Sequence, residues 1–264
     1  MLNKIQQILK TCGRQDSVLP ATELYNEGWM LRFVLYWFAK HRDNNDHPLS
    51  FGPHSRWFSE ALVPPPFLPT SRGDPLSEAW THADAVIGDF VIGEDDKNKG
   101  GVSLLPEAKH FMVIEAKMFS KLSAGITHDP NYDQAARNVA CIAELLYRRH
   151  LSASCFSKLG FYVLAPKKQI EMEPSFKSKT KKESIRKKVE KRVQSYIGRD
   201  KDYEEKQEWF VKAFLPMLEI IDIQCLSWED VIDYIKSKDS ADGEELSEFY
   251  HNCLKYNKFV ACKW

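Results

Sequence analysis

The sequence lacks any CxxC pair: its six cysteines, Cys12, Cys141, Cys155, Cys225, Cys253 and Cys262, stand singly. Thiols scattered in this way through 264 residues argue against a zinc finger or ribbon and against a small disulfide scaffold. Reduced, mostly buried cysteines are expected instead. Also missing is an apolar run long enough to span a membrane, and the opening MLNKIQQILKTCGRQD carries charges where a secretory leader needs an unbroken apolar core. The expectation is a soluble, cytoplasmic protein with no membrane partner. Net charge is absent too, since 37 Lys and Arg balance 37 Asp and Glu, so bulk composition implies no polyanionic partner. No internal repeat is visible.

What is present is enough apolar material, 43% of residues, to bury one sizeable core with additions. The charge is unevenly placed. Residues 167–192 hold eleven Lys or Arg against four Glu, so this stretch is seven charges positive and the remainder of the chain seven negative.

The stretch from Asp84 to Gln134 organises the rest. An apolar run opening on an acid (HADAVIGDFVIG) is followed by a polar loop and a second run, HFMVIEAK, closing on Glu115-Ala116-Lys117. Two strands joined by a loop pair as an antiparallel hairpin, which sets the start of the first beside the end of the second. Side chains alternate along a strand, so Glu115 and Lys117 share a face and Ala116 takes the other. Asp84, Glu115 and Lys117 then meet at one end of a sheet and offer two carboxylates to a divalent cation, with an ammonium beside them.

Along the chain, residues 22–41 read as a helix with Leu24, Leu31, Val34, Leu35 and Phe38 at helical spacing. Glu27 falls on that stripe; it either lies at the stripe's edge, meeting water or a lysine, or serves a site. Residues 56–63 read as a strand containing a second unplaced acid, Glu60, and residues 67–80 as a long connection. The first strand of the hairpin is expected to run unbroken through residues 85–92, and residues 111–114 read as an interior strand covered on both faces. Asp129-Pro130 opens a helix with the aspartate as cap, running to about residue 149 on the stripe Ala135, Val139, Ile142 and Leu146. A buried strand over residues 159–165 follows. Strand, helix, strand implies a right-handed crossover and a parallel pair, so the sheet is mixed, with helices on its faces. From Lys182 the basic stretch reads as a helix with Ile185, Val189, Val193 and Ile197 on its apolar side. A helix over residues 203–219, a strand over 220–226, helices over 227–236 and 244–256 and an apolar tail at 259–264 complete the reading.

Glu-x-Lys triplets are weak signals alone, and the chain has three: Glu107-Ala108-Lys109, Glu115-Ala116-Lys117 and Glu204-Glu205-Lys206. The last lies in a surface helix. The first can face Glu94, Asp95 and Asp96, but on a polar, glycine-rich loop; Glu115 follows four apolar residues that fix its backbone, and catalytic groups need a rigid mount. Asp84 is preferred to Asp89 because an odd separation puts them on opposite faces and only Asp84 stands at the end that reaches Glu115. His82 shares the face of Asp84.

These features together resemble the PD-(D/E)XK, or restriction-endonuclease-like, nuclease superfamily over roughly residues 22–165. The likeness rests on a helix bearing an acid (Glu27), an Asp opening a strand (Asp84), the Glu-x-Lys closing the next (Glu115, Lys117) and a helix with Gln134 in YDQAARN. Ala83 stands where the family's proline would. The resemblance implies a three-layer α/β/α core with a central mixed sheet, here about residues 22–166 plus 220–226 of a single domain, with a basic helical insertion at 167–200 and C-terminal helices at 227–264. It implies Mg²⁺-dependent hydrolysis of a phosphodiester, with Mn²⁺ able to substitute, and a metal held by Asp84, Glu115 and the main chain of Ala116. Oxygen donors of this kind suit those ions. Lys117 would hold the attacking water or a phosphate oxygen, and Gln134 would orient the nucleophile or the metal's water. The substrate implied is DNA rather than RNA, in a restriction or antiviral-defence role, by a homodimer or with a partner protein of a multi-component system. Arg137 would meet a backbone phosphate, or else pair with Asp133. Lys181, Lys182, Arg186 and Lys187 offer a sequence-independent grip on the backbone. The alternative from another class is an inactive module that keeps the fold and binds nucleic acid or a protein.

Overall fold

In the computed structural model, which describes residues 2–43, 46–93, 100–125 and 129–261, the strands in chain order are β1 (Arg56–Val63), β2 (Thr81–Gly88), β3 (Phe90–Ile92), β4 (Val102–Leu104), β5 (His110–Ala116), β6 (Lys158–Ala165) and β7 (Asp222–Ser227). Five of them form one mixed sheet in the order β1-β2-β5-β6-β7, and β3 pairs with β4 in a separate ladder. β2 pairs antiparallel with both β1 and β5, whereas β5, β6 and β7 run parallel. The helices are α1 (Leu2–Leu9), α2 (Glu27–Lys40), α3 (Gln134–Arg148), α4 (Lys167–Met172), α5 (Pro174–Lys179), α6 (Lys182–Gln194), α7 (Asp200–Trp209), α8 (Leu215–Ile220), α9 (Trp228–Lys238) and α10 (Ser240–Ala261).

The strict alternation of β5 explains why helices cover both faces. Val113 enters one apolar cluster with Val139 and Ile142 of α3 and Ile185 and Val189 of α6. Met112 and Ile114 enter the other, with Leu31, Val34 and Phe38 of α2 and Trp228 and Ile232 of α9. A strand buried on both sides must be apolar throughout, and all seven residues of β5 are buried, Glu115 among them. The mixed α/β sheet with flanking helices thus agrees with the sequence reading, including the parallel pair joined through α3. Among the described residues no helix is long and apolar enough to cross a membrane.

Several boundaries differ. The run expected to be one strand breaks at Gly88-Asp89: Gly88 adopts φ 151°, and its absent Cβ would lie 2.2 Å from the carbonyl oxygen of His110. Asp89 turns inward, accepting from the backbone N–H groups of Lys109 and His110 and from Ser55 Oγ, and the chain continues as β3. α2 begins at Glu27 because Asn26 Oδ1 caps the N–H of Trp29, so Leu24 lies outside the helix. α3 begins at Gln134 because Asp133 Oδ1 accepts from Ala136 N–H; Asp129, expected as the cap, instead closes a turn by accepting from Asn131 N–H. Ile197 lies beyond the end of α6 and is 66% exposed, while Arg192 takes a buried position on that helix. The helix expected over residues 203–219 starts at Asp200 and joins α8 through a π-helical turn, Phe210–Phe214. The apolar tail ends outside the described residues, as do Glu94, Asp95 and Asp96.

Candidate active site

The site is a notch at the C-terminal end of β5. β2 and β5 pair from Gly88↔Phe111 to Ala85↔Ile114, and there the ladder stops. Beyond it the side chain of Asp84 replaces a backbone acceptor: Oδ2 takes the N–H of Ala116 at 2.7 Å. On the far side of β2 the partner opposite Asp84 is Glu60, which has φ 55° and drops out of the β1 ladder. Ala61 and Ala83 pack in one cluster while Ala85 packs in the other, so the alternation shifts at this level and frees Asp84 from the regular pleat.

Glu115 and Lys117 point the same way, as alternation requires. Lys117 Nζ stands 3.2 Å from Glu115 Oε2 and 3.6 Å from Asp84 Oδ2, bridging the two carboxylates. Glu115 is fully buried, whereas the Asp84 side chain is 33% exposed, so the notch opens to solvent on the Asp84 side. Gln134, at the first position of α3, donates Nε2 to Glu115 Oε2 at 2.5 Å, and its Oε1 accepts the N–H of Ser123 at 3.1 Å. Asn138, one turn on, donates Nδ2 to Glu115 Oε1 at 2.7 Å and to the Gln134 carbonyl. Asn138 was not singled out in the sequence. The available signal was its i, i+4 spacing from Gln134, which sets both amides on one helix face.

Electrostatics follow from this packing. Burial, then the neighbouring Asp84 charge, push Glu115 up from its ordinary 4.5 to about 8, against the pull of Lys117. Burial works to lower Lys117, but Glu115 and Asp84, with Glu27 beyond them, outweigh it and hold the ammonium above its ordinary value. Glu27, half-buried at the start of α2, is therefore near Lys117, with no hydrogen bond between them in the structure. The main chain beneath is fixed as well: Lys117 N–H donates to Leu164 O at 2.7 Å, and Trp228 Nε1, fully buried, donates to Lys117 O at 2.9 Å.

The donor chemistry of the notch fits a hard divalent cation. Two carboxylates stand at one ammonium, one of them pushed toward its neutral form by burial and by the charge of the other. Asp84, Glu115 and the main chain of Ala116 are the groups available to it. Among the described residues no set of three or more His, Cys, Asp or Glu side chains is grouped for a metal, so such an ion would draw on main chain and water besides the two acids.

Other expected residues lie elsewhere. Arg137 pairs with buried Glu78 at 3.5 Å and donates to Thr81 Oγ1, not with Asp133, whose Oδ2 is held at 2.7 Å by Lys188. Lys182 donates to Glu219 O, Lys187 pairs with Glu183, and Lys181 and Arg186 are exposed on the insertion. Glu107 and Lys109 are exposed on the β4–β5 connection, and His82 is exposed beside the notch. No family model, curated protein or solved structure matches this chain.

Proposed function

We propose that this chain is a divalent-metal-dependent nuclease that hydrolyses phosphodiester bonds in DNA, cutting within the strand in a restriction or defence role, with the PD-(D/E)XK arrangement of residues. The observation that carries the reading is the pair of carboxylates, Asp84 and Glu115, brought to one sheet end with Lys117 Nζ between them. Mg²⁺, or Mn²⁺ in its place, would supply an acidified water and charge neutralisation at the phosphate. The protein's own groups prepare that chemistry. Glu115 is locked by two amide donors so that its carboxylate cannot swing away, and Asp84 is tied through Oδ2 to Ala116 N–H. Lys117 Nζ, kept charged by its acidic neighbours, is a donor for the negative charge that grows on the phosphate oxygens. Gln134, whose two amide ends bind Glu115 and Ser123, orients the acid; Glu27 adds negative charge at the rim.

A second reading has one observation in its favour: the Lys117 ammonium already bridges the two carboxylates, as it would in a module that binds nucleic acid or protein without chemistry. One experiment separates them. Plasmid, linear duplex, single strand and RNA are incubated with the protein in Mg²⁺ and in EDTA, beside Lys117→Ala. The nuclease reading expects Mg²⁺-dependent cleavage of DNA that falls by about 10²-fold or more in the variant, on the scale of losing one charge-stabilising donor. Cleavage undiminished in Lys117→Ala removes the assigned site, and binding without cleavage in the wild type selects the second reading.

A further inference from the structure

The basic insertion divides its cations into two groups. Arg192 is fully buried, Lys188 holds Asp133, Lys179 donates to Leu122 O, and Lys182 donates to Glu219 O. These contacts fasten α5 and α6 to the start of α3, to α8 and to the segment after Lys117. Lys177 and Lys181 are exposed, and among the described residues their ammonium groups have no hydrogen-bond or ion-pair partner, although their carbonyls accept from Thr180 and Ile185. They line, with Thr180 and Lys182, a groove of about 700 Å³ whose opposite wall is β7, the outermost strand of the sheet.

The strand register places that groove relative to the notch. Glu115 lies beside Val163, and Val163 beside Cys225. Neighbouring strands stand about 4.8 Å apart, so Cys225 is about 10 Å from Glu115 across the sheet, at the same level along the strands. Thr180 Oγ1 is 3.7 Å from Cys225 Sγ, which brings the start of the basic helix to that level too. Asp222 also lines the groove, but its Oδ2 is engaged by Tyr162 Oη at 2.9 Å and Gln224 Nε2 at 2.7 Å.

We propose that this groove is a subsite for the phosphate backbone of the nucleic-acid strand, gripped by Lys177 and Lys181; the Thr180 hydroxyl beside them already donates to Phe176 O at 2.8 Å. A strand in a duplex carries one phosphate per roughly 3.4 Å of axis, so about 10 Å corresponds to about three nucleotides from the bond at the notch. The substrate class that follows is a polynucleotide extending over β7, not a short fragment filling the notch alone. The position of the scissile bond rests on the nuclease reading; the grip itself does not require catalysis.

The test is binding in EDTA, by fluorescence anisotropy, of labelled DNA and RNA in long and very short forms, across a salt series. The full chain is compared with Lys177→Glu/Lys181→Glu, both at exposed positions, after thermal unfolding shows that the variant is folded. The expected result is a loss of about tenfold or more for the long probe, with the slope of log affinity against log salt smaller by about 1.8, or about 0.9 for each phosphate contact. Very short probes, which the groove can hold without the notch, are expected to weaken in the same sense. Unchanged affinity, or a loss with unchanged slope, overturns the proposal. If Lys117→Ala keeps full cleavage while the groove variant loses its grip, the catalytic assignment falls and the groove stands; cleavage lost in Lys117→Ala with the salt slope unchanged in the groove variant gives the reverse.

Discussion

Two buried glutamates on the same side of the sheet show what separates a candidate site from a brace. Glu115 and Glu78 are both buried, both have cationic neighbours, and burial pushes both up, Glu115 to about 8 and Glu78 to about 7. Their surroundings differ. Glu115 has a second carboxylate beside it, amides on both oxygens, and an opening to solvent past Asp84. Glu78 meets two guanidiniums, Arg137 and Arg192, at 3.5 Å each, and is sealed in. Arg192 lies over the rings of Phe67, Tyr132 and Tyr196 at 4.8, 6.0 and 5.5 Å and donates to Leu76 O. Glu78 therefore buckles the long connection before β2 onto α3 and α6, one carboxylate facing two cations. At Glu115 two carboxylates face one ammonium. A raised carboxyl pKa alone does not single out a candidate site; a second acid and a way in are what distinguish Glu115 from Glu78.

The largest effect expected from this contrast is on stability. Glu78→Ala strands two guanidiniums, one wholly buried, and is expected to destabilise the fold by about 3–5 kcal/mol in urea unfolding. A loss under about 1 kcal/mol would mean that Glu78 is no buckle.

The next effect is on pH dependence. A carboxyl whose pKa rises on folding binds a proton that the unfolded chain has lost, so its contribution is most favourable below about 4.5 and declines as pH rises. For Glu78 the decline ends at about 7, and for Glu115 at about 8. His47, pulled down to about 4 by burial, acts in the opposite sense and cancels in differences between variant and wild type. Urea midpoints between pH 4.5 and 8 are expected to show a shallower decline in Glu78→Gln, with or without Mg²⁺. Mg²⁺ is expected to flatten only the part that belongs to Glu115. A Mg²⁺ effect that disappears in Glu78→Gln would reverse the assignment of the two glutamates.

The smallest effect concerns Glu60, opposite Asp84. Its φ of 55° is costly for a residue with a Cβ, and its ion pair with Arg32 at 3.2 Å is exposed. Glu60→Gly is expected to keep the notch and to raise stability by up to about 1 kcal/mol. A clear loss would show that the side chain, not the backbone bend, shapes this part of β1.

The expected contact of Asp84, Glu115 and Lys117 was legible because it follows from period-two alternation and antiparallel pairing, both local and steric. Gln134 was legible as a residue, but its helix start was misplaced: Asp129-Pro130 and Asp133 are both good openings, and tertiary contacts chose the second, as when Lys188 grips Asp133. The break at Gly88-Asp89 was hidden because HADAVIGDFVIG is apolar enough for a single strand. What ends the strand is the close approach of the His110 carbonyl, a contact between distant segments. The buckle was missed for the same reason. Within a run of eleven cations, nothing local marks Arg192 as the one that turns inward; the rings that box it come from three separate parts of the chain.

The central claim is that Asp84 and Glu115 share one cation-sized pocket whereas Glu78 does not, and Mn²⁺ binding read by electron paramagnetic resonance tests it most directly. At pH 8 the wild type and Glu78→Gln are expected to take up one ion per chain, and Asp84→Asn and Glu115→Gln to lose that uptake or weaken it by about tenfold or more, as for the loss of a coordinating group. Equal uptake by all four proteins, or none by the wild type at millimolar Mn²⁺, would contradict it.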